Sequence, residues 1–290
     1  MENNKIKVIV TCANSKVLPS VVDLQNIKSL DEWKSTLESS PGEKIPAIDL
    51  YKGAYWNNIK KINQIADELY IVSTGYGLIK STTPIKSYQA TFSQSSQNCV
   101  SFICNPKEWW DDISSNQNIT SIYNEDDIFI IYTSFIYSKA IFNDLINIID
   151  KPNVFFISPD TNIKQFNPYK LATNIRLIYH PAFKGGNATN ISSKCVEWLI
   201  KNGEKFGWDR DKINNWFIKE AKDLPHPYEN RQLNKNKKVG DKVILSYISK
   251  YPDKSLKQVI GILNSEGIAC GTNRINRLYN IYDKNTNGQL

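Results

Sequence analysis

The sequence predicts an α/β protein, a three-layer α/β/α sandwich on a mostly parallel sheet, followed by a small helical domain. Three observations carry this. Short apolar runs rich in β-branched residues recur at Ile6–Thr11, Leu69–Ser73, Ile128–Tyr132, Val154–Ile157 and Ile175–Tyr179, as strands buried on both faces do. Between them, apolar residues return at three- and four-residue spacing, so strand and helix alternate. Near residue 229 both charge and composition change, which separates a second domain.

Taken in order, Ile6–Thr11 is the first strand, and the polar turn Cys12-Ala13-Asn14-Ser15-Lys16 follows it. Residues 17–44 form an irregular excursion with a short helix at Leu30–Leu37. After Pro46-Ala47-Ile48-Asp49-Leu50-Tyr51, the spacing of Tyr55, Ile59, Ile62 and Ala66 predicts a helix. Leu69–Ser73 ends in Thr74-Gly75-Tyr76-Gly77, and Ile141, Leu145 and Ile148 share a later helical face. Thr189 or Asn190 can cap a helix that turns Cys195, Trp198 and Leu199 inward, and Ile213, Trp216, Phe217 and Ala221 mark another.

Pro225-His226-Pro227 breaks the pattern, giving an α/β domain over 1–224, a linker over 225–238 and a helical domain over 239–290. In the last, helices fit Asp241–Lys250, a segment opened by Ser255 with Gln258 in capping-box position and ended at Gly267, and Thr272–Tyr282. Helix, turn and helix with Arg274 and Arg277 three apart suggest a DNA-reading helix-turn-helix.

Composition narrows the function classes. An apolar content of 41% with seven Trp, fifteen Tyr and eleven Phe belongs to a folded globule. No apolar stretch reaches membrane-spanning length and MENNKIKVIV carries no cleavable leader, so a soluble cytoplasmic protein is expected. The five scattered cysteines contain no CxxC pair, which argues against a disulfide framework or a zinc site; no cofactor or metal is expected. Of the formal charge of +7, residues 229–290 carry +6, eleven Lys and Arg against five Asp and Glu. Either an acidic polymer such as DNA is the partner of this segment, or it is a solvated tail.

The candidate site residues come with alternatives. Asn14 can read a base edge or hold a water, or simply satisfy its own turn; Cys12 and Ser15 share that turn. Lys16 can contact phosphate, act as a desolvated amine nucleophile, or lie in solvent. Asp49 is a helix cap or a catalytic carboxylate, and Tyr51, Tyr76 and Tyr88 can stack on a flat ring or pack in the core. His180 ends the last apolar run and opens His180-Pro181-Ala182-Phe183-Lys184-Gly185-Gly186-Asn187, which would deliver an imidazole, a lysine and a bendable backbone to a strand exit. An ordinary core histidine is the alternative.

His180-Pro181-Ala182 after an apolar run, together with the polar turn after the first strand, resembles the two active-site motifs of the uracil-DNA glycosylase superfamily, whose fold is a three-layer α/β/α sandwich. Separately, VTCANSK, IPAIDLYKGAYW and IVSTGYGLIKSTTPIKSYQATF, across residues 6–92, resemble a bacterial family named for a conserved domain of unknown function and similar to the glycosylase-like domain of archaeosine synthases. The resemblance implies that Asn14, in the place of the usual water-positioning residue, orients water or base, and that His180 donates to the departing base. It implies no iron–sulfur cluster, since the cysteine set is absent. With a base flipped into such a site, Cys12, Ser15, Lys16, Tyr51, Tyr76, Tyr88, Lys184, Gly185, Asn187, Arg274 and Arg277 are expected to contact base or strand; the resemblance extends to phage-restricting glycosylases that remove hypermodified bases such as glucosylated hydroxymethylcytosine from double-stranded phage DNA. The competing readings are a 7-deazaguanine-processing enzyme on tRNA or DNA and a nucleotide-sensing, DNA-binding regulator.

Overall fold

A computed structural model describes residues 4–159, 163–227, 237–252, 254–266, 268–269, 274–279 and 282, and the chain divides into two compact units, Met1–Pro225 and His226–Leu290. The first unit contains strands β1 (Ile6–Thr11), β2 (Ile45–Pro46), β3 (Glu68–Ser73), β4 (Gly77–Lys80), β5 (Pro84–Ile85), β6 (Ile128–Tyr132) and β7 (Val154–Ile157). Its helices are α1 (Leu30–Ser39), α2 (Ala47–Leu50), α3 (Ala54–Asn63), α4 (Pro106–Ile113), α5 (Phe135–Ala140), α6 (Phe142–Ile148), α7 (Ile191–Asn202) and α8 (Arg210–Lys222).

Five strands form one sheet in the order β4-β3-β1-β6-β7, parallel except for β4. The register sets Val8 beside Leu69 and Ile130, and these residues are 0–3% exposed. Strands so thoroughly buried need cover on both faces, and helices supply it: α3 packs with α7, and α4 with α5 and α6. Trp33, Trp56, Trp109 and Trp110 are fully buried in this core. β1 lies between β3 and β6, so the order of connections reverses at its end, the place where parallel sheets leave a crevice at the carboxyl edge.

The antiparallel β4 follows from the turn before it. The indole N–H of Trp109 donates to the carbonyl of Thr74 at 2.8 Å, and that of Trp33 to the carbonyl of Gly75 at 2.9 Å. Gly77 has φ +72, and a Cβ there would stand 2.6 Å from the Ile113 carbonyl oxygen. Chain reversal at Thr74-Gly75-Tyr76-Gly77 is therefore a structural device.

Residues Ile175–Tyr179, expected as a fifth parallel strand, form a 3-10 helix. The outer edge of β7 is already taken: Lys170 bridges to Phe156, and the Leu171 N–H donates to the Phe156 carbonyl at 2.9 Å. Asn174 then accepts the Arg176 N–H with its side chain at 2.9 Å, which starts the helical turn, and Leu177 supplies the buried face.

The second unit has its own core of Ile244, Ile248, Val259, Leu263, Ile268, Ile275 and Leu278. These come from α9 (Asp241–Lys250), α10 (Leu256–Ser265), helical residues 274–279 and β9 (Ile268–Ala269), which pairs in parallel with β8 (Lys237–Lys238). At the start of α10 the Ser255 N–H donates to the Gln258 side chain at 2.9 Å, one half of the capping box. Gly267, Cys270 and Thr272, and most of the linker, lie outside the described residues.

Candidate functional site

The carboxyl end of β1 divides its neighbourhood in two, because successive strand residues face opposite sides of the sheet. Thr11 faces the side of α3. Its carbonyl accepts the Tyr55 hydroxyl at 3.0 Å, its own hydroxyl lies 3.3 Å from the same oxygen, and the Tyr55 and Tyr132 rings stand 5.8 Å apart. These three residues with Thr133, Ser134 and Pro159 line a cleft of about 190 Å³ at the ends of β1, β6 and β7. Sites for drug-sized ligands run to roughly 300–1,000 Å³, so this cleft suits a single ring system rather than a dinucleotide. Burial pushes the Tyr55 phenol far up, against a smaller opposing pull from its bonds to Thr11, so it stays protonated and polar. The Ser134 hydroxyl has no hydrogen-bond partner among the described residues.

Cys12 faces the other side, into a buried polar chain. Its sulfur lies 3.1 Å from the Tyr137 hydroxyl, which in turn lies 3.3 Å from the Thr74 hydroxyl. The Tyr88 hydroxyl is 3.8 Å from the same sulfur, 2.9 Å from the Tyr51 hydroxyl and 2.8 Å from that of Ser73. Burial pushes Tyr51, Tyr88 and Tyr137 well above the usual phenol range, so all three are neutral hydrogen-bond donors.

Lys16 closes this cluster. Its residue is only 7% exposed, and its Nζ lies 4.3 Å from the Tyr88 ring centre and 5.5 Å from that of Tyr51. The turn is held by backbone bonds on both sides of Lys16: Val17 donates to the Leu50 carbonyl at 2.9 Å and Lys52 to that of Ser15 at 3.0 Å. Burial pushes the Lys16 amine below its ordinary value, against smaller upward pulls from Cys12 and Asp23.

The structure thus brings Cys12, Lys16, Tyr51 and Tyr88 together, with Tyr76 edge-on against Tyr88 at 5.4 Å. It corrects the roles expected of several. Tyr51 and Tyr88 are 1% and 0% exposed, and no extruded base can stack on them. Tyr76 is half-buried and holds the Lys86 backbone through its hydroxyl, with burial pushing its phenol up to about 12. Asp49 caps no helix and meets no polar cluster; it is an exposed partner of Lys60 at 3.2 Å. Asn14 and Ser15 are exposed on the turn.

His180 stands elsewhere, against α8. Its Nδ1 accepts the Ala182 N–H at 3.1 Å, which caps a short 3-10 turn, so Nε2 carries the hydrogen toward Glu220 Oε2 at 3.0 Å. Its ring contacts are Phe183 and Trp216. Both nitrogens are engaged within residues 180–220, with Ala182 and Glu220. Asn187 spends its carbonyl oxygen on the Thr189 and Asn190 amides, Gly185 adopts φ +74 with open space around it, and Lys184 is exposed. In the second unit, Arg274 and Arg277 are both paired to Asp241, the latter at 2.9 Å, and Arg274 also donates to the Val239 carbonyl at 2.9 Å.

Sequence reasoning missed the cleft residues Thr11, Tyr55, Tyr132, Thr133, Ser134 and Pro159. The signal was present: each of the strands ending at Thr11, Tyr132 and Ile157 is followed by short polar residues or proline, the composition of a carboxyl-edge site.

Among the described residues no group of His, Cys, Asp and Glu is placed to hold a metal ion, and no helix is long and apolar enough to cross a membrane. Fold and cleft define the first unit as an α/β protein with a ring-sized crevice at the carboxyl edge of a mostly parallel sheet. Residues 35–154 match the model of a family of unknown function, DUF6884, a span that includes Tyr55, Tyr132, Thr133 and Ser134 but not the β1 turn. No curated protein and no solved structure matches the chain.

Proposed function

We propose that the first unit hydrolyses the N-glycosidic bond of a base swung out of a DNA strand, and that the basic second unit holds the backbone. The observation that carries this is the cleft where the strand order reverses: its volume suits one ring system, its walls are Tyr55 and Tyr132, and Ser134 presents an unengaged hydroxyl. A base must leave the stack to be cut, at a cost of a few kcal/mol that phosphate binding offsets. Cleavage leaves negative charge on the base and positive charge on the sugar. The hydroxyl of Ser134 addresses the first. A water oriented by the exposed amide of Asn14 addresses the second, while Lys184 and the lysines of residues 229–290 meet phosphates. The resemblance to phage-restricting glycosylases favours a hypermodified base in phage DNA, met in the cytoplasm. Mass spectrometry of free bases released from unmodified, hydroxymethylated and glucosylated DNA tests this reading, and no release from any of them ends it.

One observation favours a second reading. Among the described residues the cleft is lined by Thr11, Tyr55, Tyr132, Thr133, Ser134 and Pro159, an aromatic and hydroxyl lining that also suits a pocket that binds a base or nucleotide without cutting it. A regulator of that kind would bind a defined duplex in a ligand-dependent way and release no base.

A further inference from the structure

A second concave surface lies beside the turn between β3 and β4, about 290 Å³ in volume and sharing no lining residue with the cleft at the end of β1. Leu37 of α1, Tyr76 of the turn, Pro84 of β5 and Ile113 of α4 give it apolar walls, so four separate elements meet there. Their placement is fixed. The Trp33 indole ties α1 to the Gly75 carbonyl at 2.9 Å, and the Tyr76 hydroxyl accepts the Lys86 N–H at 2.9 Å and donates to the Lys86 carbonyl at 3.2 Å. Walls held in this way cost little ordering when a ligand arrives.

Charge in the lining is unbalanced. Lys34, Lys44 and Lys86 stand there against Glu38. Lys34 is offset by Asp112 at 3.1 Å. Lys86, 8% exposed, donates to the carbonyls of Leu37, Glu38 and Ser40 at 2.6–3.3 Å; three donors mean an ammonium, and no carboxylate pairs with it among the described residues. Lys44 is exposed and has no ion-pair partner among them either. Two uncompensated cations against one carboxylate, beside apolar walls that exclude water, raise a positive potential that an anion relieves. We propose that this pocket binds a small organic anion: one ring system, single or fused, seated against Tyr76, Leu37, Pro84 and Ile113, with a carboxylate or phosphate paired to Lys44. Lys86 acts through its field, because its donors are spent. The site stands or falls independently of the glycosylase reading.

The test is isothermal titration of the full-length protein with four probes that share one ring system: 1-naphthoate, 1-naphthyl phosphate, the neutral 1-naphthamide and the cationic 1-naphthylmethylammonium. At least one anion should bind about tenfold or more tightly than the amide, with the cation weakest, and the tighter anion names the head group. Lys44→Glu, at an exposed position without a partner, should weaken the anion by about tenfold or more. Asn116→Trp, at an exposed residue of the lining, should block the pocket, whereas Ser134→Trp in the cleft should leave the anion's affinity unchanged. Circular dichroism confirms the fold of each variant. The proposal is overturned if neither anion binds, if the amide binds as tightly, if affinity is undiminished in both folded Lys44→Glu and folded Asn116→Trp, or if it is Ser134→Trp that abolishes it.

Discussion

The Nζ of Lys16 lies 4.3 Å from the centre of the Tyr88 ring, while the Tyr88 hydroxyl bonds the Tyr51 and Ser73 hydroxyls at 2.9 and 2.8 Å. One ring therefore offers its face to a lysine and its edge to a buried polar chain running to Cys12. A cation over a desolvated aromatic face gains about 2 kcal/mol, which offsets part of the burial that disfavours its charge.

This pairing gives stability a pH dependence. The Lys16 amine is depressed in the folded state relative to its ordinary value of 10.5, so between the two values the unfolded chain binds more protons. Stability conferred at this position then rises with pH across that window. Thermal melts of wild type and Lys16→Met should show the wild type gaining on the variant as pH climbs toward 10.5, the ordinary lysine value. A constant difference would mean that the amine titrates alike in both states.

The turn between β3 and β4 is held by two indoles. Trp33→Phe and Trp109→Phe each leave a buried carbonyl, of Gly75 or Thr74, without its donor and should cost about 1–3 kcal/mol in denaturant unfolding. Their rings lie 6.1 Å apart, so the double variant should depart from additivity. Gly75→Ala would put a Cβ 2.6 Å from the Tyr88 ring, itself anchored, and should cost about 1–3 kcal/mol by overpacking.

His180 is predicted to be a structural residue. His180→Ala should lower stability by about 1 kcal/mol through loss of the cap on Ala182, and His180→Asn, which keeps an acceptor, by less. A double-mutant cycle with Glu220→Gln should reveal coupling of about 0.5–3 kcal/mol. Base release should persist in folded His180→Asn; loss of release with stability intact would restore a catalytic role.

In the second unit Asp241 occupies both arginines of the last described helix. Asp241→Asn frees them, so nonspecific DNA affinity should rise and its salt dependence steepen, each added phosphate contact changing the slope by about 0.9. Unchanged affinity would place the DNA-binding cations elsewhere.

How far the sequence reaches is visible in particular elements. Ile6–Thr11, Ile128–Tyr132 and Val154–Ile157 are strands as their apolar runs predict, because nothing competes for the positions beside them. Ile175–Tyr179 has the same composition and is a 3-10 helix, because Lys170 and Leu171 already cover the β7 edge, a fact of tertiary structure that no local pattern contains. Likewise β4 depends on indoles from α1 and α4 that lie far away in sequence. The turn Cys12–Lys16 was legible as a polar turn at the carboxyl end of the first strand. That Lys16 is buried and that Tyr51 and Tyr88 are sealed could not be read, since tyrosines on loops look alike until their neighbours are known. The pairing of His180 with Glu220, forty residues on, is of the same kind.

The proposed function places a base in the cleft bounded by Thr11, Tyr55, Tyr132 and Ser134. Its most direct test is free-base release, quantified by mass spectrometry, from the DNA that the wild type attacks, compared with Ser134→Trp, whose indole fills the cleft. Release should be lost in the folded variant while affinity for the DNA backbone is retained. Release at the wild-type rate from Ser134→Trp would contradict it.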